Sequence, residues 1–191
     1  EYTYDGADNI LSKKIPDQAW VNYKYNVRDL LTFSQDGNLL AAGQWLNTQY
    51  DTYGRVIKSG LYTGNPANGD FIPGSYATQL TDNSYGVAGI EIGKIKTAKT
   101  RIMGAANDLS TTFTYDTYGR IQSSSGNNHL NLSAGSETHA FTYDFADNVL
   151  TDTRVHKPST TQTYNLAERR TYDHAGRPVD YFHKLGSVET H

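Results

Sequence analysis

Tyr115-Asp116-Thr117-Tyr118-Gly119-Arg120-Ile121 is a seven-residue stretch that specifies a reversal of the chain. An Asp opening a turn accepts hydrogen bonds from the amides two and three residues on, which favours a type I turn. The residue that follows must take the left-handed conformation, and Gly119 adopts it without strain. Upstream, Phe113, Thr114 and Tyr115 alternate with the period of a strand that carries an aromatic face. Downstream, Arg120 to Ser123 reads as the return strand. The unit is a β-hairpin.

The same pattern recurs along the chain. Tyr50-Asp51-Thr52-Tyr53-Gly54-Arg55-Val56 and Tyr172-Asp173-His174-Ala175-Gly176-Arg177-Pro178 keep Gly fifth and Arg sixth. Tyr4-Asp5-Gly6-Ala7-Asp8-Asn9-Ile10, Tyr25-Asn26-Val27-Arg28-Asp29-Leu30-Leu31 and Tyr143-Asp144-Phe145-Ala146-Asp147-Asn148-Val149 place Asp fifth, a residue that tolerates positive φ. The intervals between the leading Tyr residues are 21, 25, 65, 28 and 29 residues. Apart from the long one, such periods hold two strands and short turns, with little room for helices. The sequence therefore predicts an all-β chain, an antiparallel β-hairpin array forming a curved or spiralling sheet. Further turns are expected at Ser34–Asn38, where Asp36-Gly37 signals a hairpin, and at Ser123–Asn128.

Residues 1–191 read as a single array with a loop-rich insertion at about 61–92. Gly64 to Gly74 carries two of the five prolines and reads as loop, and Gly74 to Ser84 as a short helix. Lys94 to Met103 reads as a strand whose Lys94, Lys96, Lys99 and Arg101 form one cationic face.

Composition narrows the function. The chain has 191 residues with 17 Lys+Arg against 20 Asp+Glu, a net charge of −3 and no basic stripe, so no nucleic-acid footprint is present. No apolar run approaches the roughly 20 residues of a membrane-spanning helix. With no Cys, disulfides and thiolate chemistry are excluded. Tyr is used 15 times against 6 Phe and 2 Trp, which ties it to the repeat.

These segments resemble the YD repeats of the Rhs family, in particular the long Rhs-repeat proteins of Bacteroidota. Arg28 to Asn38, Gln44-Trp45-Leu46 and Lys96 to Gly104 extend the likeness to nearly the whole chain. The resemblance implies a β-shell or stalk in a large secreted or cell-surface bacterial protein, which in toxin members encloses a C-terminal polypeptide. Its implied partners are the remainder of the parent Rhs-type polypeptide, with a secretion machinery or a surface glycan beside it. Glu1 to Tyr4 already stands in strand register and the chain has no Asp-Pro dipeptide, so a fragment of a longer array is expected.

No catalytic, cofactor or metal residue emerges. The repeated Asp satisfies turn geometry rather than forming a glycosidase pair. The repeat Tyr residues suit a half-buried strand, with glycan stacking as the alternative use of their faces. Arg55, Arg120 and Arg177 are expected to stack on a Tyr ring or to pair with a turn Asp. His129, His139, His156, His174, His183 and His191 show no i, i+4 pair and no carboxylate cluster of the metal-binding kind.

Overall fold

The computed structural model describes residues 1–14, 16–102, 107–128, 131–186 and 188–190. Met103, His129 and His191 lie outside the described residues. Two compact units divide the chain, Glu1–Asn83 and Ser84–His191.

The first unit runs β1 (Tyr2–Tyr4), β2 (Ile10–Lys13), β3 (Val21–Tyr25), β4 (Leu31–Gln35), α1 (Gly37–Ala41), β5 (Gln44–Tyr50), β6 (Val56–Thr63) and most of β7 (Thr78–Tyr85). The second holds the end of β7 and then β8 (Ile95–Arg101), β9 (Asp108–Tyr115), β10 (Ile121–Asn128), β11 (Asn131–Tyr143), β12 (Val149–Lys157), β13 (Tyr164–Tyr172), β14 (Pro178–Leu185) and β15 (Val188–Thr190). In both, strand order is chain order and neighbouring strands run antiparallel. The expected all-β hairpin array is what the chain forms.

Three local expectations are corrected. Asp36 does not open a two-residue hairpin turn: its carboxylate accepts from the Leu39 amide at 2.9 Å and caps the five-residue helix α1, which joins β4 to β5. Ser123–Asn128 is not a turn but most of β10. The Ser123 hydroxyl pairs with that of Thr114 across the ladder, and a Cβ on Gly126 would run into the Ser110 carbonyl, so this glycine serves close strand approach. The stretch read as helix between Gly74 and Ser84 is largely strand, because Thr78–Tyr85 pairs with β6.

Residues 64–77 cover the core of the first unit. Phe33 is fully buried and Trp45 nearly so, and Phe33 meets Trp45, Tyr62 and Phe71 at ring-centroid distances of 6.3–6.4 Å. Hydrogen bonds fasten the cover: Lys24 Nζ donates to Pro66 O at 2.7 Å, Thr32 Oγ1 to Gly69 O at 2.7 Å, and Tyr76 Oη to Asn47 Oδ1 at 2.6 Å. The Tyr76 ring lies on Gly60, and Gly69 sits where any side chain would strike the Tyr25 carbonyl. Buried Asn47 also donates to Thr32 O at 2.9 Å, so the polar atoms under the cover find partners.

Candidate functional site

The repeated turns share one construction. Asp116 N donates to Arg120 O and Gly119 N to Asp116 O, both at 2.9 Å, closing a three-residue loop followed by a bulge. The fifth residue has positive φ in all six copies: Asp8 64°, Asp29 58°, Gly54 80°, Gly119 79°, Asp147 66° and Gly176 73°. The carboxylate oxygen departs from expectation. Oδ1 of Asp5, Asp51, Asp116, Asp144 and Asp173, and of Asn26, accepts from the amides two and four residues on, at 2.8–3.1 Å. The amide three residues on is already spent on the backbone bond that closes the turn.

The second carboxylate oxygen takes the sixth residue. Arg120 Nε donates to Asp116 Oδ2 at 2.7 Å and Arg177 Nε to Asp173 Oδ2 at 2.7 Å, while Asn148 Nδ2 serves Asp144 at 2.9 Å and Asn9 Nδ2 serves Asp5 at 3.1 Å. These bonds hold the five carboxyls below the usual carboxylate range. For Asp5 and Asp173 the largest contribution is the backbone amide of the sixth residue, and for Asp144 it is the Asn148 side chain. For Asp51 and Asp116 partial burial pushes upward, and the Arg55 and Arg120 bonds outweigh it.

Arg55 and Arg120 fill both expected roles at once, and Arg177 fills the ion-pair role with Asp173. The Arg55 guanidinium lies 5.0 Å from the centre of the Tyr53 ring, and that of Arg120 lies 5.0 Å from Tyr118 and 4.5 Å from Tyr143. Turns are also bonded to the turns that follow. Arg120 Nη1 reaches Asp144 O and Asp147 Oδ1 at 2.8 Å each, Asn9 Nδ2 reaches Asp29 Oδ1 at 3.0 Å, and Arg28 Nη1 reaches Asp51 O at 2.9 Å.

The leading Tyr clasps the hairpin before it. Tyr50 Oη donates to Leu31 O at 2.9 Å, Tyr143 Oη to Ile121 O at 2.7 Å and Tyr172 Oη to Val149 O at 2.9 Å. Each acceptor is the seventh residue of the preceding copy. Burial raises the pKa of Tyr50 and Tyr143, as expected of rings laid against the sheet. Tyr25 is half-buried, whereas Tyr4 is 55% exposed and stacks on Tyr2.

Tyr115 Oη follows the same rule but donates to Ile95 O at 2.6 Å, a residue outside the six copies. Ile95 ends a seventh, disguised hairpin that starts at Tyr85. Gly86 N donates to Lys94 O at 2.9 Å and Gly93 N to Gly86 O at 3.1 Å, the pair of bonds that closes every other turn. Gly93 has φ 76°, and Lys94 Nζ lies 5.4 Å from the Tyr115 ring centre, as Arg120 does over Tyr143. The hydroxyl pair Ser84–Thr97 at 2.6 Å matches Thr3–Ser12, Thr114–Ser123 and Thr142–Thr151 at 2.6–2.7 Å. Gly stands at the Asp position, and four extra residues, including the 3-10 turn Gly89–Glu91, enlarge the loop. This copy divides the anomalous interval of 65 residues into 35 and 30. The signal that finds it is Gly93-Lys94-Ile95, which imitates Gly-Arg-Ile.

Two readings of charge change in the folded chain. Strand alternation puts Lys94 and Lys96 on the opposite side of β8 from Lys99 and Arg101, so they form no single cationic face. Lys96 pairs with Glu91 at 2.8 Å and Arg101 with Asp108 at 2.9 Å. The His residues are less scattered than the sequence indicates: β11–β12 register brings His139 and His156 beside Glu137, Asp152 and Arg154. His139 Nε2 is 3.1 Å from Glu137 Oε1 and its Nδ1 is 3.4 Å from Asp152 Oδ1, while Asp152 Oδ2 accepts from Arg154 at 2.6 Å. Among the described residues no group of three or more His, Asp or Glu is arranged to hold a metal ion. Nor is any described helix long and apolar enough to cross a membrane.

No protein-family model and no curated protein matches this chain. Solved structures do. The crystal structures of TcdB2-TccC3-TEV and TcdB2-TccC3-Cdc42 superpose with TM-scores of 0.64 and 0.63, at 16% and 15% identity over 98% and 93% of this chain. This is the fold of a Tc toxin segment. A Photorhabdus luminescens Tc holotoxin pore structure also matches, with a TM-score of 0.56 at 12% identity over 95% of the chain. The chain spans only 9–11% of the length of these toxin chains.

Proposed function

We propose that this chain is a structural wall segment of a large secreted or cell-surface protein of the Rhs type, part of a shell or stalk that encloses a C-terminal effector. The observation that carries this reading is the Tyr clasp. Four hairpins are tied to the preceding one through a Tyr hydroxyl and the backbone ladder, and turn side chains tie several to the next, so much of the array follows one rule. A unit that bonds mainly to its sequence neighbours builds extended surface rather than a closed globule. The Tc toxin likeness supports the same reading at the level of fold.

The geometry favours architecture over catalysis. Each turn carboxylate already accepts two backbone amides and, in five copies, a side-chain donor, which leaves none poised for proton transfer. The clasping Tyr hydroxyls are committed to carbonyls in the same way, and their rings are half-buried against the sheet, which leaves little of these ring faces open to a ligand. Electron cryo-microscopy of the polypeptide that carries this chain tests the proposal. A hollow particle walled by β-sheet is expected, and a solid particle with no enclosed volume would refute it.

A further inference from the structure

One pair of residues in the cover of the first unit is chemically labile. Asn68-Gly69 is the single Asn-Gly step of the chain. It lies where the segment 64–77 is fastened: Thr32 Oγ1 donates to Gly69 O at 2.7 Å, and Val27 N donates to Asp70 Oδ1 at 3.0 Å. Asn68 is exposed, whereas Gly69 is buried.

We propose that Asn68 is a self-modification site, at which attack by the Gly69 amide converts the carboxamide mainly to isoaspartate and so loosens the cover as the protein ages. This inference is independent of the wall reading. Its first argument is the nucleophile. Gly69 N donates to no acceptor among the described residues, and glycine has no Cβ to hinder its approach to Asn68 Cγ. Its second is the electrophile. Asp70 N donates to Asn68 Oδ1 at 3.0 Å, the oxygen on which negative charge develops under attack, so one oxyanion donor is in place. Its third is freedom to close the ring. The clamp holds the Gly69 carbonyl, whereas closure swings the exposed Asn68 side chain.

The chemistry needs only water. A bond forms between Gly69 N and Asn68 Cγ, the Gly69 amide proton passes to water, and the side-chain nitrogen leaves as ammonia, giving a cyclic imide. Water then opens the imide. Opening at the side-chain carbon yields aspartate, and opening at the main-chain carbon yields isoaspartate, whose backbone is longer by one methylene. The place gives the step its consequence. A Cβ on Gly69 would strike the Tyr25 carbonyl, so a longer backbone cannot be absorbed by shifting inward. The bonds from Thr32 and Val27 must give instead, and with them the seat of Phe71 on Phe33.

Asn26 is an internal control. Its Oδ1 also accepts the amide two residues on, from Arg28 at 2.9 Å. The residue between them is Val27, whose branched Cβ obstructs attack and whose amide is given to Asp70.

The test is timed incubation of the folded chain in mildly alkaline buffer, read by peptide mass spectrometry and by isoaspartyl methyltransferase labelling. Asn68 should convert at least about tenfold faster than Asn26, with isoaspartate as the main product. The purified isoaspartate form should show amide exchange quickened roughly fivefold in β3–β6 and unchanged in β9–β14. Asn68→Gln should abolish the labelling, because the longer side chain closes a less favoured ring. Freshly made Asn68→Asp should exchange like the parent, since it adds the charge without the methylene. The proposal is overturned if Asn68 of the folded chain keeps its amide, or if Asn26 converts as fast. It is equally overturned if the isoaspartate form exchanges like the fresh chain, or if Asn68→Asp loosens the cover as much.

Discussion

The two units reach order by different means. Glu1–Asn83 has an apolar centre in which Phe33 and Trp45 are buried beneath the segment 64–77. In Ser84–His191 no large apolar side chain among the described residues is buried to that degree, and its most enclosed side chains are Asn128 and Asp152. That unit relies on ladders, hydroxyl pairs, Tyr clasps and ion pairs such as Arg154–Asp152 and Arg170–Glu168, both half-buried. The contrast teaches that the hairpin repeat carries no core of its own. Where a long connection returns over the sheet, a core forms, and elsewhere the repeat persists through hydrogen bonding between neighbours.

The largest expected effect falls on the cored unit. Phe33→Ala should cost about 3–5 kcal/mol, read as early denaturant unfolding and faster amide exchange in β3–β6. An effect below about 1 kcal/mol would remove the distinction between the units. Gly119→Val, in the coreless unit, should cost roughly 1–3 kcal/mol because a β-branched residue is forced to φ near 79°. An unchanged melting temperature would contradict the turn geometry. Tyr143→Phe keeps the ring and deletes the clasp, and should cost about 0.5–1.5 kcal/mol, with exchange quickened at the β10–β11 junction.

The smallest effect per residue is electrostatic. The lowered carboxyl pKa values of Asp5, Asp51, Asp116, Asp144 and Asp173 contribute stability that is present above the unfolded-state value of about 3.9 and is lost as pH falls through the folded-state values. Three of the five lie in Ser84–His191 and two in Glu1–Asn83, where Asn26 replaces the acid of the second copy. Acid titration below pH about 4, followed by amide exchange, should therefore loosen the second unit more. Equal loss in both would show that the turn carboxylates do not set acid stability.

Much of this was legible in the residues, because the repeat is local. Tyr, Asp and the positive-φ residue lie within five positions, and their turn needs no distant partner. What escaped was set by distance or disguise. The copy at Tyr85 lacks its Asp and carries a longer loop, so only its exit, Gly93-Lys94-Ile95, keeps the signature. Ser123–Asn128 has the composition of a turn, yet Gly126 is required by the approach of Ser110 from the neighbouring strand. The cover of Phe33 depends on Gly69 and Tyr76 meeting strands 29 or more residues earlier in the chain. Cross-strand register likewise assembled Glu137, His139, Asp152 and His156, which sequence spacing keeps apart.

The most direct test is a set of cross-strand nuclear Overhauser contacts in the folded chain. Doubling back at each Tyr-Asp pair predicts contacts for Thr114–Ser123 and Thr142–Thr151, and for Ser84–Thr97 across the disguised turn. Their absence, with Asp116 and Asp144 instead showing the sequential pattern of a continuous strand, would contradict the account.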